Sequence, residues 1–491
     1  MDPAVEQQLV DEILTRSEAY EALQVLADDI GVRLPGTVNE VRARDFLLDT
    51  LARYGLTNVR AEPFVHRAWT PVRQELALVS PVERTIGCQC ALLSPSTPPD
   101  GLAGEGVILE RGDRADFEQH RDQIKGRFVL TLFDSTYTDG VAHSIPRQMK
   151  TELASRYGAL GFIGWHHSPG QHLPAGTCAF GRAGGVPVAS ITCEDGALLR
   201  RLAQRKGTLR LRLTLDSRIE RKESWNVVGE VAAGASATHG DGNEHIVLGA
   251  HYDCHHIATG AIDNAAGVVS VLEAARALVK FKAHLPRSVR IVLFGVEEAG
   301  LVGSLAYVHQ HRSELEDVVL MINNDSLGGR PSGIEVQGRD ELRSVMEQIA
   351  QRVRIAGNDL PPYEVTMAHP GWWGLDSTPF GFQGVPTIHL SSAEARPGDF
   401  ASYHLSTDQI DKVYVPGLAE TAAINAQVVY HVANLARRPA ARISEAQVRA
   451  MIEQHDNEAP LYSILSLSES LELLGLWPID GTIQRYFSFD T

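Results

Sequence analysis

The side chains most able to do chemistry crowd into one short stretch. Val247–Gly267, read as VLGAHYDCHHIATGAIDNAAG, places His251, Asp253, His255, His256 and Asp263 among apolar residues and three glycines. Buried imidazoles and carboxylates need partners, so this density calls for a ligand or a partner set elsewhere in the chain. Candidates follow at Glu297-Glu298, at Asn323-Asn324-Asp325 and at His404 within Ser402–Asp408. Histidine nitrogen and carboxylate oxygen are the usual ligands of zinc, and a catalytic site keeps one position open for water. Two ions need a carboxylate that bridges them, and Asp263, in its glycine-rich turn, is the best placed for that. Of two adjacent glutamates, one can bind metal while its neighbour, pointing the other way, takes a proton from the attacking water. Each residue alone has a plainer use: a strand-end histidine is simply hydrogen-bonded, a Glu-Glu pair is a solvated turn, and Asp325 is a cap. Their recurrence at successive strand ends is what favours a metal site.

The elements that must position these groups can be read from periodicity. Ile246–Ala250, Val289–Val296, Val318–Ile322 and Val385–Leu390 are short continuous apolar runs, the pattern of strands buried on both faces. Val268, Val269, Val271, Leu272, Ala275, Leu278 and Val279 mark a helix between the first two runs, and a helix over Pro416–Ala436 closes the region. This alternation predicts an α/β fold: a mixed, mostly parallel sheet sandwiched by helices. In such sheets ligands bind beyond the carboxyl ends of the strands. His251, Glu297-Glu298 and Asp325 follow the first three runs, so one rim can hold them all. His251 and Asp253, two apart, leave the strand on the same face.

Upstream, residues to about Phe64 read as helices, over Tyr20–Ile30 and Val38–Tyr54, joined by the turn-rich Gly31–Thr37. Residues Glu75–Val79, Gly106–Leu109, Arg127–Phe133, Gly161–Trp165, Val186–Ile191 and Thr208–Leu213 are short β-type runs, with one helix over Gln148–Tyr157. They predict a mostly β insertion. The expected division is 1–70, 71–216, 217–437 and a partly helical tail, 438–491, that includes Ser463–Leu474.

Bulk composition narrows the function. The 491 residues require more than one ordinary core. A formal net charge of −16 argues against nucleic acid or an anionic membrane as partner. The N-terminus is acidic and amphipathic, without the basic and apolar regions of a secretory signal, and no apolar run is long enough to span a bilayer. Five cysteines, an odd number, suit free thiols in a reducing cytoplasm.

Taken in order, Gly249-Ala-His-Tyr-Asp253, Gly260–Gly267, Phe294-Gly-Val-Glu-Glu298, Asn324-Asp325 and Tyr403-His404 resemble the motifs of the di-zinc aminopeptidases. That family includes bacterial leucyl aminopeptidase, aminopeptidase Y and glutamate carboxypeptidase II. Asn226–Glu230, Ser377–Phe380 and Gly384–Pro386 fit as well. Residues 71–216 resemble a protease-associated domain through Lys125–Leu130, Gly158–Ile163 and Val186–Val188. The resemblance implies two zinc ions per chain: His251 and Asp325 on one, Glu298 and His404 on the other, and Asp263 between them. It implies Glu297 as general base, Asp253 as the acceptor that orients His251, and Tyr403 either as a donor to the oxyanion or as a core aromatic. Cys254 stands where the family has Ser or Thr and reads as a small buried residue before a thiolate ligand. His255 and His256 lengthen the loop and either face substrate or, as the simpler expectation, are exposed.

Trp372 and Trp373, in a Gly-flanked loop, either line a pocket for an apolar side chain or anchor the loop. No arginine cluster suggests an acidic C-terminal substrate. The expected activity is therefore zinc exopeptidase, most simply an aminopeptidase on short peptides. A carboxypeptidase, dipeptidase or amidase with the same centre is the alternative. A single-zinc cyclotransferase and a non-catalytic receptor share the scaffold, but neither keeps this full set of residues. The tail is assigned to helix packing or a homodimer contact.

Overall fold

The computed structural model describes residues 2–134, 137–138, 141–142, 145–234, 242–353, 363–368, 374–394 and 402–458, with Ser468, Leu471, Glu472 and Leu476 beyond them. The chain opens with helices at Pro3–Arg16, Ala19–Gln24 and Val38–Arg53. Asp2 caps the first, accepting the Ala4 N–H at 2.9 Å. Its residues Val5, Leu9 and Ile13, four apart, are buried along one face. The second continues as a π-helical turn over Val25–Ile30 and ends at Gly31, whose φ of 77° only glycine adopts readily.

Sixteen strands follow among the described residues: β1 Thr57–Ser80, β2 Arg84–Ile86, β3 Gln89–Cys90, β4 Leu102–Ile108, β5 Phe128–Leu132, β6 Tyr137–Thr138, β7 Val141–Ala142, β8 Gly161–Trp165, β9 Val188–Ile191, β10 Arg210–Val231, β11 His245–His251, β12 Ser288–Phe294, β13 Val318–Asn324, β14 Arg330–Gln337, β15 Glu364–Ala368 and β16 Thr387–Ala393. The four apolar runs of the second half are β11, β12, β13 and β16. They lie in the order β16-β13-β11-β12, all parallel, flanked by antiparallel β14 and β10. The mixed, mostly parallel sheet is therefore as expected.

Side chains alternate across this sheet. Ile246, Leu248, Ile291, Leu293, Leu320 and Ile322 join one core with helices Ala266–Lys280 and Val415–Ala433 and the N-terminal helices. Val247, Val292, Phe294 and Met321 join the other, with helices Val302–Gln310 and Ser377–Phe382. Burial on both faces is why these strands read as unbroken apolar runs.

Two expectations change. The helical start ends at Arg53, because Thr57 begins a 24-residue strand that pairs antiparallel with β10 along its length. That partner lies some 150 residues away in sequence, beyond any local periodicity. The region 71–216 is not mostly β: helices Arg114–Gln119, Arg121–Ile124, Arg147–Arg156 and Cys193–Lys206 alternate with its strands. Its strands β4, β5, β8 and β9 run parallel in that order, which requires such crossovers. Nor does its sheet break from the rest. β10 pairs with β4 through Arg210–Leu213 and with β12 through Val227–Val231, so one 22-residue strand belongs to both halves. All five cysteines are free thiols. Most of Ser463–Leu474 lies outside the described residues.

Candidate metal centre

Parallel register brings the strand ends level. His251 closes β11 opposite Phe294, the last residue of β12, and Gly249 lies opposite Asn323 of β13. Glu297-Glu298 and Asp325 leave from the next turns. The His251 Nε2 lies 3.2 Å from Asp263 Oδ1 and 3.3 Å from Asp325 Oδ1. The other Asp263 oxygen, Oδ2, lies 3.0 Å from His404 Nε2, which is 3.9 Å from Glu298 Oε2. Asp263 thus stands between two groups of side chains, one oxygen toward each.

Backbone features hold this arrangement. Gly260 has φ +58°, and a Cβ there would come within 2.3 Å of the Cys254 Cβ and 2.5 Å of the Asp263 carbonyl oxygen. Only glycine satisfies both the conformation and the space. Gly267 admits the start of helix Ala266–Lys280, since a Cβ would lie 2.8 Å from the Asn324 carbonyl oxygen. Three non-glycine residues hold left-handed backbone: Val296 before Glu297, Ser326 after Asp325, and His404 itself. Each costs on the order of 1–3 kcal/mol, and each segment is tied down. Val302 N–H donates to Val296 O, Ser326 N–H to Asn264 Oδ1, and Ala175 N–H to His404 O.

The carboxylate of Asp253 accepts the backbone N–H groups of Glu297 at 3.0 Å and Glu298 at 3.2 Å. His251 Nδ1 is 3.5 Å away and makes no aligned hydrogen bond. Asp253 thus fixes the Glu297-Glu298 turn through two backbone N–H groups while lying beside the His251 ring. Periodicity also gave no sign of Asp408, Arg33 or Arg147. Asp408 accepts from Ile262 N–H at 2.7 Å and Asp263 N–H at 3.1 Å, which fixes the backbone at Asp263. Arg33, fully buried, donates to the carbonyls of Leu26, Gly31, Tyr252, Thr259 and Gly260. Arg147 pairs with Asp134 at 2.6 Å, donates to Thr177 O and lies 3.4 Å from His404 Nδ1. Arginine inside the turn-rich connector was the one available signal.

Charge is badly balanced without cations. Burial, with Asp263 adding, pushes the Glu298 carboxyl well above its usual range, against His404 and His251. Glu297 is pushed up by withdrawal from water, with Asp325, Glu298 and Asp376 adding and His251 opposing. Burial raises Asp376 to about 7, against the pull of His251. Burial opposes ionisation of Asp263, yet His251 and His404 hold it well below the usual carboxylate range. Glu298 Oε1 and His251 Nδ1 are buried with no hydrogen-bond partner. Orphaned oxygen and nitrogen donors within a carboxylate crowd are what divalent ions would satisfy, so the donor set fits zinc.

The loop histidines are not exposed as expected. His255 is 5% exposed, with Nε2 2.7 Å from Glu298 Oε2 and its ring edge-on to His404 at 4.7 Å. Burial, and Arg147 after it, pushes its imidazole down to about 3, so the ring is neutral. His256 packs edge-on to Trp69 at 5.0 Å, with both ring nitrogens buried. The loop folds inward because Arg33 gathers its carbonyls. Cys254 is buried and accepts the Arg33 N–H at 3.2 Å, and burial raises its thiol to about 11, as befits a packing residue. Tyr403 is not a core aromatic: it is 41% exposed and stacks on the His404 ring at 3.8 Å. Trp372 and Trp373 lie outside the described residues. A small cleft opens on the centre, lined by His255, Ile257, Ala258, Asp263, Glu298 and Leu405 among others.

Residues 226–429 match the profile of peptidase family M28, and this span holds the whole constellation. That stretch is an M28 peptidase domain. It is 26% identical over 430 residues to carboxypeptidase Q of Bos taurus, covering 86% of each chain. The M28 peptidase precursor of Shewanella amazonensis SB2B superposes with a TM-score of 0.74 at 24% identity, over 89% of this chain and 97% of that one. BSAP, a zinc aminopeptidase from Bacillus subtilis, superposes at 0.61 with 24% identity, over 84% and 94%. Both structures share the fold. With this peptidase domain the chain is a metallopeptidase, a hydrolase of peptide bonds.

Proposed function

We propose that the chain is a di-zinc exopeptidase that releases N-terminal residues from short peptides. The observation that carries the two-ion reading is the division of Asp263, with Oδ1 toward His251 and Oδ2 toward His404. His251 and Asp325 would hold one ion, Glu298 and His404 the other, and Asp263 would bridge. Zinc held there would lower the pKa of a bound water and polarise the scissile carbonyl.

The chain's own residues supply the rest. Glu297 accepts the proton of the attacking water at its carboxylate and passes it to the leaving amine. Asp253 keeps that carboxylate and Glu298 in place through their backbone N–H groups. Tyr403, exposed and stacked on His404, would donate a hydrogen bond to the oxyanion.

Among the described residues that line the cleft, none is Arg or Lys. A substrate's free carboxylate would therefore find no cationic side chain in this lining, which favours a substrate that presents a free amino group. The similarity to carboxypeptidase Q keeps the second reading, hydrolysis at a C-terminus or of a dipeptide. Trp372 and Trp373 would serve the substrate's apolar side chain. The free, mostly buried thiols suit a reducing compartment such as the cytoplasm.

Assaying aminoacyl-nitroanilides beside N-blocked dipeptides, with and without chelator, tests the choice. Chelator-sensitive hydrolysis of the nitroanilides is expected, and cleavage of blocked peptides alone would establish the second reading. Glu297→Gln should retain two zinc ions per chain while kcat falls about 10²–10⁴-fold. Full activity in that variant would remove Glu297 from the mechanism.

A further inference from the structure

The loop histidine His255 has no role in this reading, yet it is built into one side of the centre. It lies between the end of β11 and the Gly260 turn, four residues after His251. Its Nε2 approaches Glu298 Oε2 to 2.7 Å, but the contact lacks hydrogen-bond alignment: neither ring nitrogen has a hydrogen-bond partner, and neither has Glu298 Oε1. A buried imidazole left unpaired is costly, and 2.7 Å is too close for two lone pairs with nothing between them. One ligand atom each from His255, Glu298 and His404 falls within 4.8 Å of the others. The matching group on the opposite side is His251, Asp263 and Asp325.

We infer that His255 is a further protein ligand of the ion held by Glu298 and His404. The inference rests on the two-zinc reading above. It makes the two positions unequal. His251, Asp325 and one oxygen of Asp263 serve the first. Glu298, His404, His255 and the other oxygen of Asp263 serve the second. Four protein donors are the complement of a closed zinc site, three that of an open one, so the second position should retain its ion more tightly and the first should exchange.

Two measurements separate this from a packing role. X-ray absorption on the wild-type dizinc protein, which needs no variant, should count three imidazoles over two ions. Two imidazoles would overturn the assignment. Cobalt titration of metal-free protein, followed by visible absorption, should show the tighter equivalent weakened about 10–100-fold or more in His255→Ala and His255→Gln, with its bands altered. His256→Ala should leave both equivalents unchanged. Unaltered affinities and spectra in the His255 variants would also overturn the assignment. A wild-type chain that binds fewer than two ions would instead sink the two-zinc reading, and the His255 assignment with it.

Discussion

The two halves of the centre are built differently. His251 and Asp325 sit at the ends of adjacent parallel strands, where ladder register sets their separation. Glu298, His404 and His255 come from a turn and two loops, and those loops are held from distant parts of the chain. Ala175 N–H fixes the His404 backbone, Arg147 reaches its ring, and Arg33 gathers the carbonyls of the His255 loop. A position taken from a sheet follows from the sheet's own stability. A position taken from loops depends on buried ties that must each be made.

The comparison can be broken first at the residue the halves share. Asp263→Asn leaves one amide nitrogen facing a cluster that needs an oxygen. Activity should fall about 10³-fold or more and zinc content below two per chain, measured by kinetics and metal analysis. Retention of both ions would show that the halves do not depend on a common bridge.

Arg33→Leu tests the loop-borne half alone. Five carbonyls lose their donor, so unfolding free energy should drop by about 3 kcal/mol or more in urea melts. The equivalent bound by Glu298 and His404 should weaken more than the one at His251 and Asp325. Equal weakening would erase the distinction drawn between the halves.

Glu40 offers the smallest effect. It accepts the Gly36 N–H at 2.5 Å and the Ser224 hydroxyl, bracing the connector that carries Arg33. Burial raises its carboxyl from 4.5 to about 7, with Asp253 adding and the two hydrogen bonds opposing. A raised acid binds a proton in the folded state that the unfolded chain releases. Its stabilising contribution is therefore full below pH 4.5 and lost as pH climbs through about 7. Glu40→Gln should match wild type near pH 5 and exceed it in unfolding free energy near pH 8, by on the order of 1 kcal/mol. No difference between the two pH values would mean that Glu40 ionises freely.

Much of this was legible in the residues themselves. Unbroken apolar runs marked β11, β12, β13 and β16, because strands buried on both faces cannot alternate. Metal-capable residues after three of them located the rim. Gly260 and Gly267 were readable because only glycine fits a left-handed turn or a close backbone approach. What eluded the sequence was non-local. Pairing along β1 and β10 turned an expected helix end into a long strand. The parallel order of β4, β5, β8 and β9 made the insertion α/β.

By itself, then, the sequence determined which side chains could bind metal and which strands would carry them, since residue type and burial period are local properties. The tertiary structure alone decided that Asp253 holds a turn through two backbone N–H groups, that Arg33 ties five carbonyls, and that His255 faces Glu298 instead of solvent. The direction of a loop side chain is set by partners distant in sequence, and no spacing within the loop encodes them.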